Sequence, residues 1–147
     1  MNETLNTSEI QDFELAYEER YARVLVSAEK KIVICELLAD YIPIEDFKEA
    51  FEQIGKIVKG GSFEKFIFDK RSLRAFHQPT MEWYFIHWKK DMLAYGLKTH
   101  RKILPAEKWF EKMVQIAKQQ ILETYPDNII DQLDIQYCDT IEEAIKL

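Results

Sequence analysis

Short apolar runs alternate with amphipathic helical stretches along most of this chain, and that alternation narrows the folds open to it more than any other feature. In IEDFKEAFEQIGKIVKGG, Phe47, Phe51, Ile54 and Val58 recur at helical spacing, Glu45 and Asp46 occupy the first turn after Pro43, and Gly60-Gly61 ends the stretch. KFIFD follows as a short apolar strand. MEWYFIHWKKDMLAYG then places Met81, Tyr84, Phe85, Trp88 and Met92 on one helical face and closes at Gly96. LKTHRKIL reads as a strand by position, although Thr99, His100, Arg101 and Lys102 stand where an inner parallel strand is usually apolar. That polarity predicts either a place near the sheet edge or side chains lining a cleft.

A third helix is expected from Trp109, Phe110, Met113, Ala117 and Ile121 on one face, ending at Tyr125-Pro126. LDIQYC alternates Leu133, Ile135 and Tyr137, and Thr140-x-x-Glu143 is a capping box that opens a terminal helix. Upstream, YARVLVSAEKKIVICELL sets two β-branched runs around the polar SAEKK, the pattern of an antiparallel hairpin. DFELAYEERY reads either as an alternating strand (Phe13, Leu15, Tyr17) or as a helix face (Ile10, Phe13, Tyr17, Tyr21), and both readings stay open. The expected order is ββαβαβαβα: about five strands in a mixed, mostly parallel sheet with about four helices, joined by right-handed crossovers. The expected division is an acidic N-terminal arm over residues 1–20 and a single α/β domain over residues 21–147.

A chain of 147 residues, 47% apolar and 31% charged, has the length and composition of one ordinary globular domain. Its formal charge of -6 argues against a general nucleic-acid binder, which needs a basic face. No apolar run approaches the ~20 residues that span a bilayer, and MNETLNTSEIQDF has neither a basic nor an apolar leader segment, so the expected location is cytoplasmic. Cys35 and Cys138 stand alone, without CxxC spacing, and are expected to be reduced and buried.

KIVICELLADYIPIEDFKEAFEQI, EKFIFDKRSL, EWYFIHWKKDMLAYGLK and YCDTIEEAIKL together resemble the SpoIIAA-like branch of the STAS superfamily, the fold of anti-sigma-factor antagonists, over roughly Tyr21 to Leu147. The resemblance implies a small regulatory or signalling module without catalytic chemistry, which meets a protein partner through the loop after the third strand and the helix that follows. Some antagonists of that family are switched by phosphorylation in a strand-Asp, later Asp-Ser-x-Gly pattern. With Asp69 placed at the strand aspartate, His77, Gln78 and Thr80 stand where the second aspartate, the serine and the glycine would be, and the motif is not present.

The candidate partner-binding residues are therefore Asp69, Ser72, His77, Thr80, Trp83, His87 and Lys90. Thr80 reads as an N-cap or first-turn residue rather than a phosphoswitch, and Ser72 as a loop hydroxyl between basic residues. Trp83, with His87, Lys90 and Ala94, faces away from the apolar side of its helix, either packed against the N-terminal arm or the neighbouring helix or serving as an interface anchor, for which a homodimer through that face is the simplest partner. No catalytic motif, metal site or cofactor is expected. His77, His87 and His100 with Asp91 lack ligand spacing. The alternative is a carrier of a small apolar or anionic ligand, lipid included, held between the aromatic helix and the basic strand, with His100, Arg101 and Lys102 as contacts; Lys89, Lys90 and Lys98 extend that basic cluster, which could also meet the acidic arm.

Overall fold

A computed structural model of the chain describes residues 12–147. Strands β1 (Glu14–Glu18), β2 (Ala22–Ser27), β3 (Ile32–Leu37), β4 (Lys65–Asp69), β5 (Thr99–Ile103) and β6 (Asp134–Tyr137) form one six-stranded sheet in sequential order. The first three pair antiparallel and the last four parallel. The β2–β3 hairpin forms as expected, with Ser27 Oγ accepting from the Lys30 amide at 3.1 Å in its turn. DFELAYEERY supplies a strand: Glu14 to Glu18 pair along β2, with a bulge between Leu15 and Tyr17. The sheet thus begins before Tyr21, so part of the expected arm belongs to the domain, and the rest, residues 1–11, lies outside the described residues.

The helices are α1 (Ile44–Lys59), α2 (Gln78–Trp83), α3 (Lys89–Leu93), α4 (Lys108–Thr124) and α5 (Ile141–Lys146). A π-helical turn at Tyr84–Trp88 joins α2 to α3. Gly96, at φ +94°, ends α3 in a conformation that favours glycine. At α5 Thr140 caps the helix, its Oγ1 accepting from the Glu143 amide at 3.1 Å, while the Glu143 carboxylate accepts at 2.8 Å from the amide of Asp139, one residue before the cap.

Each parallel step moves one strand along the sheet in the same direction, so crossovers of one hand place α1, the α2–α3 helix and α4 on one face. The larger core lies there. Val33, Phe66 and Phe68 meet Phe51 and Ile54 of α1, Tyr84 and Trp88 of the π turn, and Phe110 and Ala117 of α4. The opposite face carries a smaller cluster of Ile34, Ile67 and Ile103 under Ile141 and Ala144 of α5. Cys35 and Cys138 are free and buried, one on each face, and burial pushes both thiols up.

β5 lies one strand in from the edge strand β6, a place near the sheet edge as the first of its two readings has it. One expectation about packing changes. On α4 the buried stripe is Phe110, Val114, Ala117 and Ile121, while Trp109 and Met113 are 47% and 42% exposed. A stripe set by Phe110 and Val114 leaves Trp109 and Met113 a quarter-turn off the core.

Candidate functional site

At the carboxyl ends of the parallel strands, loops and helix starts converge. In this chain that region is built by the segment after β4. Asp69, the last residue of β4, is buried, and its carboxylate accepts from the Arg71 amide at 3.0 Å and from Arg71 Nε and Nη2 at 2.9 and 2.7 Å. This bidentate pair folds the chain back on itself. The Lys70 amide donates to the Ile103 carbonyl at 2.8 Å, the Leu73 amide to the Lys70 carbonyl at 3.1 Å, and the Arg74 amide to the Asp40 carbonyl at 2.8 Å. The loop is thereby tied to β5 and to the segment after β3.

Beneath this loop lies a partly open, apolar slot of about 70 Å³, several times the space one water requires. Leu37, Phe47 and Phe68 line it from β3, α1 and β4; Phe76 and Met81 from the loop and α2; Phe110 and Val114 from α4. Among the described residues its lining includes one lysine, Lys70, which is 8% exposed, and no carboxylate. Lys70 Nζ lies 5.1 Å from the Phe68 ring centroid, and burial brings its ammonium down to about 8. Tyr84 lines the same slot, and its buried hydroxyl has no hydrogen-bond partner among the described residues.

His77 and Thr80 sit at the slot's rim. His77 caps α2: its Nδ1 accepts from the Thr80 amide at 3.3 Å and lies 2.8 Å from Thr80 Oγ1. Thr80 is thus the first-turn residue of the two alternatives, and the cap is histidine. His77→Ala is expected to cost about 1 kcal/mol, as a lost cap does, and Thr80→Ala less, because it keeps the backbone amide that the cap accepts from. Because the two side chains share one interaction, the double variant should cost less than the sum in urea unfolding; full additivity would mean the pair is not coupled.

The other candidate residues separate. Ser72 is half-buried in the loop; His87 and Lys90 are exposed on the outer side of the helix. Trp83 is not left over on that side. Its ring packs edge-on against Phe47 at 6.2 Å, with Lys48 Nζ 5.8 Å from its centroid, so α1 half-buries it, the neighbouring-helix packing of its two readings. His100, Arg101 and Lys102 do not form one site, because successive strand residues point to opposite faces. His100 and Lys102 enter the main core, whereas Arg101 joins Asp134 at 3.0 Å and the Leu147 carbonyl at 3.0 Å on the other face. The described part of the acidic arm, β1, lies four strands away from β5, so it does not meet that basic strand. Among the described residues no group of three histidine, cysteine or acidic side chains is placed to hold a metal ion.

The helical pattern conceals one feature. Lys89 and Lys102 are 0% and 1% exposed, and both ammonium groups lack hydrogen-bond partners among the described residues. Their Nζ atoms flank the Phe85 ring at 3.9 and 4.2 Å and the Tyr84 ring at 4.9 and 5.4 Å. Burial pulls both well below the usual lysine range and does the same to His100 below the histidine range. Cation–π contact offsets part of the desolvation cost. The available signal was Lys89 directly following the core residue Trp88, and Lys102 in an inner strand.

No family model matches the chain, and a search of curated proteins finds no match. Among the described residues no helix is long and apolar enough to cross a membrane.

Proposed function

We propose that this protein is a binding module of the STAS, SpoIIAA-like kind, acting without catalytic chemistry of its own, and that its slot at the carboxyl ends of β3 and β4 receives a small apolar ligand. The sequential strand order, with the crossover helices gathered on one face, supports the family likeness. The observation that carries the ligand reading is the slot itself: an apolar recess with a few convergent polar groups, lined from five separate elements.

The test uses a neutral probe. Titration of the labelled protein with 1-octanol is expected to shift the amide resonances of Leu73, Ala75, Phe76 and Met81 together. Ala75→Trp, which places an indole at the slot, should suppress those shifts while the remaining spectrum stays native. Absence of the shifts in the wild-type protein, or their persistence in the variant, would remove the slot as a ligand site.

A second reading places a protein partner on the loop 69–80 and the start of α2. What favours it is order: the backbone ties of Lys70, Leu73 and Arg74 hold the loop in one shape, with Arg74, His77 and Pro79 exposed around the slot's mouth. A partner reading that surface would also sense whether the slot is filled.

A further inference from the structure

We infer that the ligand of this slot is an apolar molecule ending in a carboxylate, with the anionic end seated at Lys70 and the hydrocarbon part against Phe47, Phe68 and Phe110. The inference rests on the slot being a ligand site and adds the charge and class of what fills it.

Three observations converge. Among the described residues the Lys70 ammonium, on a side chain 8% exposed, has neither a hydrogen bond nor an ion pair, and unlike those of Lys89 and Lys102 it is not fully enclosed. Burying an ammonium without a partner is costly, and a ligand carboxylate supplies the missing charge and acceptor. Among the described residues no acidic side chain lines the slot, so none of them competes for that place or repels an anion. Tyr84, whose side chain lines the slot, has a buried hydroxyl without a partner among the described residues, and Lys89 and Lys102 Nζ lie 4.9 and 5.4 Å from its ring centroid. With no carboxylate in the described lining to receive an ammonium, a cationic amphiphile is disfavoured. A single lysine in an otherwise apolar slot suits one negative charge better than a polyanion. The volume accommodates a short chain or a single ring, and the open mouth lets a longer chain project.

Protonation supplies an internal check. Lys70 is charged below about 8 and neutral above it. Octanoate is ionised throughout that range, so its advantage over a neutral analogue should hold at neutral pH and fade as pH rises through that value. Binding the anion favours the charged lysine, so above that pH binding takes up a proton.

The experiment compares octanoate, 1-octanol and octylammonium by calorimetry and amide shifts at pH 7 and pH 9.5. For the wild-type protein at pH 7 octanoate should bind about tenfold or more tightly than 1-octanol, as expected of one hydrogen bond to a charged group, and octylammonium most weakly. Lys70→Met should erase the preference while leaving 1-octanol affinity unchanged. Lys70→Arg should keep the preference and carry it to pH 9.5, because guanidinium does not titrate there. Equal affinities for octanoate and 1-octanol in the wild-type protein would overturn the inference and leave the slot standing. A preference that survives Lys70→Met would likewise overturn it. Failure of both ligands to bind would remove the slot and this inference together.

Discussion

Phe51→Ala is expected to cost about 3–5 kcal/mol in urea unfolding, the range for truncating a large aromatic in a core that cannot collapse around the gap. Phe51 is fully buried at the centre of the helix-side core. Its ring stacks on Phe47 at 4.3 Å and meets Trp88, Phe68, Tyr84 and Phe66 edge-on at 4.9, 5.1, 5.4 and 6.0 Å. Those five partners come from α1, β4 and the π turn, so none can move into the vacancy without leaving its own element. The Phe51 carbonyl also accepts from Trp88 Nε1 at 2.8 Å, which pins α1 to the π turn from the backbone side. A fall in Tm of about 10 °C or more should accompany the loss. A cost below about 1 kcal/mol would mean that this aromatic cluster is not the centre of the core.

Lys102→Met is expected to move stability the other way, raising it by roughly 1–4 kcal/mol at neutral pH, the scale on which apolar residues of similar volume outdo buried ionic groups. The Lys102 ammonium sits in the main core, without a hydrogen-bond partner among the described residues, beside a second ammonium in the same condition. Lys89→Met should also stabilise, and the two gains should not add, because either substitution removes the repulsion between them. The pH dependence has a definite sign. In the unfolded chain lysine holds its proton up to about 10.5, whereas burial makes Lys89 and Lys102 release theirs earlier and brings Lys70 to about 8. The unfolded state therefore binds more protons in that window, and stability rises from neutral pH toward pH 10. The Cys35 and Cys138 thiols, raised by burial, oppose the climb from about pH 9, and above pH 10 the buried Tyr84, raised by desolvation, turns the trend downward. Thermal melts from pH 6 to pH 10 should show the climb in the wild-type protein and a shallower one in Lys102→Met. A destabilised Lys102→Met with an unchanged slope would mean that the ammonium is satisfied after all.

The alternation of elements was legible because each one is written in residues that are neighbours. Phe47, Phe51, Ile54 and Val58 mark one side of a helix by spacing alone, and Thr140 with Glu143 announces a helix start by hydrogen-bonding chemistry confined to one turn. Residues 13–21 were ambiguous for the same reason: Phe13 and Tyr17 satisfy a period of two and a period near four, and the free edge of β2 decided for the strand. The α4 stripe was misjudged at Trp109 and Met113, since an apolar residue at the margin of a face can turn in or out depending on what stands opposite.

The site depended far more on tertiary structure. Asp69 in a polar loop looked available, and the fold instead spends it on Arg71. Trp83 looked outward until α1 brought Phe47 and Lys48 against it. The slot's lining runs from Leu37 to Val114, across five elements that only sheet order and crossover placement bring together. Lysine patterns read by default as solvated, because a charge is costly to bury and the long side chain usually reaches water. Local periodicity is set by steric and hydrogen-bonding preferences within a few residues, so the chain alone determined its helices and strands. Whether Lys70, Lys89 and Lys102 are buried is a sum over contacts from distant segments, and that sum exists only once the sheet has placed its helices on one face.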